Sequence, residues 1–122
     1  MKRLRAWVPP LAWMGLIFWL SSRPDVPTLS AGWLDQIVKN SGHIFLYFVL
    51  AMLLDRAWRL ENLQSGTRVP VVLVIALLYA LSDEWHQSFV PGRSPSLADV
   101  GFDMVGATLA VLFRARTSVP DL

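Results

Sequence analysis

The chain has 122 residues, of which 54% are hydrophobic and only 16% charged, with a formal net charge of +2. So apolar a chain is not intrinsically disordered, and one without cysteine is not a disulfide-stapled secreted module. Its basic residues sit in small clusters between apolar blocks and form no nucleic-acid-binding stripe. What remains is a single domain over residues 1–122, with the mean hydropathy of +0.45 expected of a small integral membrane protein.

Four stretches lack Lys and Arg altogether: 6–22, 40–55, 69–92 and 94–113. Within them lie dense apolar blocks at 11–20, 44–54, 69–81 and 100–113, the last interrupted only by Asp103. A helix crossing the hydrocarbon needs ~20 mostly apolar residues, with a lower limit near 17. The spans are therefore predicted at 6–22, 42–58, 69–89 and 97–114. A soluble helical protein is the alternative, but four such blocks leave it no polar face for water.

Lys2, Arg3 and Arg5 precede the first span and Ser21-Ser22 ends it, a pattern shared with signal peptides. No small-x-small cleavage site follows, and Arg23-Pro24 comes next. In the first outer loop Ser30 is placed to cap a short helix over 31–39. Trp33, Leu34, Ile37 and Val38 fall on one side of it and Asp35, Gln36 and Lys39 on the other, as in a helix lying in the interface. Pro24, Pro27 and Pro91-Gly92 mark turns, and Pro70 is expected in the first turn of the third span.

The basic residues give the orientation. Eight (Lys2, Arg3, Arg5, Arg56, Arg59, Arg68, Arg114, Arg116) fall on one side of the predicted spans and three (Arg23, Lys39, Arg93) on the other. The positive-inside rule puts both termini in the cytoplasm. Trp7, Trp19, Trp58 and Trp85 sit near span ends, as in an aromatic belt, whereas Trp13 lies mid-span. The expected fold is an all-α integral membrane bundle of four transmembrane helices, with the short interfacial helix in its first outer loop.

Polar residues inside the spans gather at the outer ends. Span two opens with His43 and Tyr47, span three closes with Ser82, Asp83, Glu84, His86 and Gln87, Arg93 follows, and span four opens with Asp99 and Asp103. At ~1.5 Å rise per residue, His43, Gln87 and Asp99 lie about 2–3 Å deep and Tyr47, Asp83 and Asp103 about 8–9 Å deep. Each helix carries one member of each layer at i,i+4 spacing, hence on one face. Ionisable groups at such depth cost free energy and read as a functional site.

Structural roles stand beside this. Asp99 follows Ser96 by three, a capping box opening span four. His43 can simply bond a neighbouring carboxylate. Glu84, ~100° round the helix from Asp83, reaches the pocket only from its flank. His86 fits the pocket or the headgroups, Arg93 fits an acid partner or an anion clamp, and Tyr47 and Tyr79 fit plain interface aromatics. Gly106, Ala107 and Ala110 continue the Asp103 face as a close-packing stripe.

The run Ser82-Asp83-Glu84-Trp85-His86-Gln87-Ser88-Phe89-Val90-Pro91-Gly92-Arg93, then Ser96-Leu97-Ala98-Asp99, Asp103 and Gly106, resembles the signature of the VanZ-like family. His43-Ile44-Phe45-Leu46-Tyr47 is similar to that family's second-helix motif, and Leu20-Ser21-Ser22 to the end of its first helix. The chain departs from the pattern at Leu46, where many members have Glu, at Asn40, where many have Lys, and at Asp103, where many have Asn. The resemblance implies a small multi-pass protein of the bacterial plasma membrane. Its setting is the cell envelope, since the family is named for a component associated with resistance to teicoplanin, a lipoglycopeptide.

Two functions follow as expectations. In the first, His43, Tyr47, Asp83, Glu84, Gln87, Arg93, Asp99 and Asp103 bind a lipid-linked or lipophilic envelope molecule at the outer leaflet. In the second, Asp83, Asp103 and His43 serve a membrane-embedded hydrolase or transferase as acid, base or metal ligands. No diagnostic zinc spacing occurs, and neither a cofactor, a metal nor a nucleic-acid partner is expected. Membrane lipids are the expected surroundings. A small-ion carrier ranks last, because the inner halves hold almost no polar group except Asp55.

Overall fold

The computed structural model describes residues 2–22, 32–91 and 96–117. These form four helices and no strand: α1 (Lys2–Ser21), α2 (Gly32–Leu60), α3 (Ser65–Gln87) and α4 (Leu97–Thr117). The α2 and α3 segments Trp33–Leu60 and Ser65–Gln87 are long and apolar enough to cross a membrane. Large apolar side chains point outward around the bundle, among them Phe18, Val74, Leu78, Leu109 and Leu112. A contiguous apolar exterior of this kind belongs in lipid and not in water.

Two sequence expectations are corrected. The separate interfacial helix over 31–39 does not form, because α2 runs unbroken from Gly32 for 29 residues. No proline interrupts Asn40-Ser41-Gly42, and Gln36 Nε2 bonds Asn40 Oδ1 one turn on, at 2.9 Å. At ~1.5 Å per residue α2 measures ~43 Å, longer than the ~30 Å hydrocarbon layer. Pro70 is likewise not in the first turn, since α3 begins at Ser65. The expected cap at Ser30 and the turns at Pro24 and Pro27 lie outside the described residues.

Periodicity explains the packing. On α2 the stripe His43, Tyr47, Ala51, Asp55 recurs every four residues, and on α4 the stripe Asp99, Asp103, Ala107, Ala110, Arg114 does nearly the same. These stripes face each other in the most extensive helix interface of the bundle. Its middle is made of small residues, with Ala51, Ala107 and Ala110 fully buried. On α3 the corresponding stripe is Val72, Ala76, Ala80, Asp83 and Gln87. α1 is held by its own polar clasps: Trp13 Nε1 donates to Leu46 O at 2.8 Å, and Tyr79 Oη donates to Met14 O at 2.5 Å. The mid-span Trp13 is thus a hydrogen-bond donor to α2, which is why it sits away from the span ends.

The turn after α2 sets up the end of the bundle that holds Asp55. Asn62 takes the left-handed conformation (φ 66°). Its N–H bonds Arg59 O at 2.9 Å, and the Leu63 N–H bonds Trp58 O at 3.0 Å. This is a Schellman motif with Asn at the residue that needs positive φ. Arg68 then reaches back to Leu63 O at 2.8 Å and to Asp55.

Candidate functional site

At one end of the bundle the helices bring the sequence-predicted residues together in two neighbouring groups. In the first, His43 on α2 pairs with Asp103 on α4, Nδ1 to Oδ1, at 2.6 Å. The other ring nitrogen faces Asp99 Oδ2 at 3.9 Å, and Lys39 Nζ stands 3.6 Å from the same oxygen. In the second, Asp83 Oδ2 on α3 accepts hydrogen bonds from Ser21 Oγ on α1 at 2.8 Å and from Gln87 Nε2 at 3.1 Å. Tyr47 is buried within electrostatic reach of both Asp83 and Asp103. The expected stacking of layers is modified: His43 bonds the deeper acid Asp103 and Gln87 bonds the deeper acid Asp83, so the bonds run between the layers. Arg93 lies outside the described residues.

Glu84 has the position expected from its rotation. Its Oε2 accepts the Ser96 N–H at 2.7 Å. The Ser96 Oγ accepts the Ala98 N–H at 3.1 Å, an N-cap bond one residue short of the Asp99 N–H that the first half of the anticipated capping box requires. The other half, in which Asp99 would take the Ser96 N–H, is supplied by Glu84 from the neighbouring helix. This frees the Asp99 carboxylate to face Lys39 and His43. His86 lies on the α1 side, stacked on Phe18 with centroids 4.1 Å apart, and with Nε2 3.5 Å from Ser22 Oγ.

A cavity of about 160 Å³ opens beside the cluster, lined by apolar Ile17, Leu20, Val38 and Leu46 and by Ser21, Lys39, Gly42, His43, Tyr47 and Asp83. Several buried atoms in the cluster have no hydrogen-bond partner: Tyr47 Oη, Asp83 Oδ1, Glu84 Oε1, Gln87 Oε1 and Asp103 Oδ2, while Asp99 Oδ2 is met only by the longer ion pairs with Lys39 and His43. A buried polar atom left unmatched costs about 1–3 kcal/mol. Nearly all of these are acceptors, so the cluster is complementary to a donor. Among the described residues no trio of His, Asp or Glu is arranged to hold a metal ion.

Sequence reasoning overlooked three contributors. Ser21 stood only in the first-helix motif and proves to be a direct partner of Asp83. Lys39 was assigned to an interfacial helix and proves to be the ammonium facing Asp99. The third is a second polar centre at the opposite end of the bundle. There Asp55, 1% exposed, receives Arg59 Nε at 2.7 Å, Arg68 Nε at 2.8 Å and Arg114 Nε at 3.0 Å, tying α2, α3 and α4. Its signal in the sequence is a lone acid in an apolar stretch with arginines nearby, residues that the charge count uses only for orientation.

No curated protein and no solved structure matches the chain significantly. The sequence model of the VanZ/LLP1 family matches residues 6–115, the stretch that carries both groups of the acidic cluster and the Asp55 centre. The chain, a membrane protein with an acidic cluster at one end of its bundle, therefore belongs to the VanZ/LLP1 family.

Proposed function

We propose that this protein is a four-span component of the plasma membrane, with both termini in the cytoplasm, whose acidic outer-leaflet pocket binds a lipid-linked or lipophilic cell-envelope molecule. The family's association with teicoplanin gives the reading its setting. The single observation that supports it most is a cavity with apolar walls that is also lined by Tyr47 and Asp83, whose Oη and Oδ1 are buried without a partner. Apolar walls suit a lipophilic body, and convergent polar atoms fix a head group.

Asp83→Asn and Asp103→Ala are expected to abolish any change in teicoplanin susceptibility that the wild-type gene confers on a host, with membrane levels of protein unchanged. Unaltered susceptibility differences in both variants would overturn the role of the pocket. One observation favours the enzymatic alternative: the 2.6 Å His43–Asp103 pair has the geometry of an acid–base dyad. Both ring nitrogens of His43 face carboxylates, however, which suits charge balance better than proton abstraction from a third group. Lipid and precursor profiles separate the two readings. Binding predicts the same profile in wild type and Asp83→Ala, whereas turnover predicts accumulation of a substrate in the variant.

The orientation is tested directly, because the chain contains no cysteine. Ser94→Cys is expected to react with an impermeant maleimide on intact cells, and Ser65→Cys only after permeabilisation. The reverse pattern would invert the proposed topology and place the pocket at the cytoplasmic surface.

A further inference from the structure

A second cavity meets the same carboxylate. It holds about 390 Å³ between α1 and α3 and is lined by Phe18, Tyr79, Ser82, Asp83, Trp85 and His86. Three aromatic faces, those of Phe18, Tyr79 and Trp85, and the His86 imidazole thus share this cavity with Asp83. Phe18 and His86 lie nearly parallel, 13° apart, and form a double wall. Trp85, 69% exposed, and Phe18, 53% exposed, open this cavity to the surroundings of the bundle. α1 and α3 share the slightest interface among the packed helix pairs, so the entrance lies at the loosest seam.

The chemistry of this lining is selective. Aromatic faces carry negative potential and attract organic cations, and a carboxylate supplies the countercharge. Asp83 is 4% exposed and its Oδ1 has no partner, while Oδ2 is already taken by Ser21 and Gln87. The wider cluster repels an anionic head group. Among the described residues it gathers the carboxylates of Asp83, Glu84, Asp99 and Asp103, and its basic members Lys39 and His43 face Asp99 and Asp103. A neutral hydroxyl satisfies an oxygen but leaves this charge uncompensated.

We infer that Asp83 anchors the ammonium group of a membrane amphiphile, whose apolar chain leaves through the aromatic cavity between α1 and α3. This rests on the binding reading above and narrows its ligand to one head-group charge.

The test uses the full-length protein in dodecyl maltoside with a dodecylamine bearing a diazirine in its chain. Cross-links are expected on α1 and α3 beside Phe18 and Trp85. Unlabelled dodecylamine is expected to compete about tenfold better than dodecanol, or ~1.4 kcal/mol. In Asp83→Asn, checked for native elution, that preference is expected to vanish. Trp85→Ala, an exposed position, is expected to weaken amine binding roughly fivefold by loss of a cation–π face, with a smaller loss for dodecanol. Equal competition by dodecanol would overturn the ammonium inference and leave the lipophilic pocket standing. Absence of cross-links at this seam would overturn the inference and leave the cavity beside His43 and Tyr47 untouched. Tetramethylammonium competing as well as dodecylamine would overturn the membrane source, in favour of a soluble cation. If Asp83→Asn does not fold, unchanged amine binding by Trp85→Ala overturns the inference.

Discussion

Asp55→Asn is expected to destabilise the bundle by about 3–5 kcal/mol, the cost of removing one partner from a buried ion pair. The carboxylate receives three guanidinium groups from α2, α3 and α4, and its side chain is 2% exposed. Without it, three cations remain close together with no countercharge between them. The neutral amide offers one acceptor oxygen where the carboxylate offered two. Arg59→Gln is expected to cost much less, because Arg68 and Arg114 still neutralise the acid and the Arg59 side chain is 21% exposed. Thermal aggregation of the purified protein in detergent checks both. A wild-type midpoint for Asp55→Asn would show that the centre is incidental to stability. Asp55 lies three turns along α2 from His43, or ~18 Å. A small loss of pocket binding in the folded fraction would therefore separate the lock from the site.

Gly106→Ala is expected to be the most damaging single-methyl change. A Cβ there would overlap the Ile44 carbonyl oxygen and stand 2.9 Å from Ile44 C and 3.0 Å from Phe48 N, all backbone atoms. Backbone within a helix cannot rotate aside as a side-chain tip can, so α2 and α4 must separate. Overpacking of this kind costs about 1–3 kcal/mol. Gly106 is also less than one turn from Asp103, and Ile44 adjoins His43. The separation is therefore expected to stretch the His43–Asp103 bond and weaken the pocket as well as the fold. Gly101→Ala on the same helix is the matched control, since its Cβ would meet nothing within 4 Å. Helix propensity then makes it neutral or stabilising by up to ~1 kcal/mol. The same chemical change is expected to have opposite effects five residues apart, read as midpoints of thermal aggregation. Equal midpoints would remove Gly106 as the point of closest helix approach.

Much of this molecule is legible in its sequence, because a lipid environment simplifies the signal. A polar side chain inside a long apolar run is conspicuous, and i,i+4 spacing alone places His43 with Tyr47, Asp83 with Gln87 and Asp99 with Asp103 on single helix faces. Those faces do converge. The helical class, the four apolar segments and the family are all readable from residue order, since each depends on local composition or a contiguous motif.

Partner choice is not readable in that way. Nothing in the order of residues says that Glu84, rather than Asp99, takes the Ser96 N–H, or that His43 bonds Asp103 in preference to Asp99. Each carboxylate was within one turn of the alternative, and only the rotation of α4 against α2 and α3 decides between them. Arg59, Arg68 and Arg114 are indistinguishable by sequence from Arg3, Arg5, Arg56 and Arg116, and only the packing of three helices brings them to one buried acid. The continuity of α2 was also a tertiary outcome: Asn40-Ser41-Gly42 has weak helix preference, and Lys39 facing Asp99 supports the stretch from the neighbouring helix. Sequence determined which groups each helix presents, because periodicity is local. The packed bundle decided which of them meet, because crossing angle and depth are properties of pairs of helices.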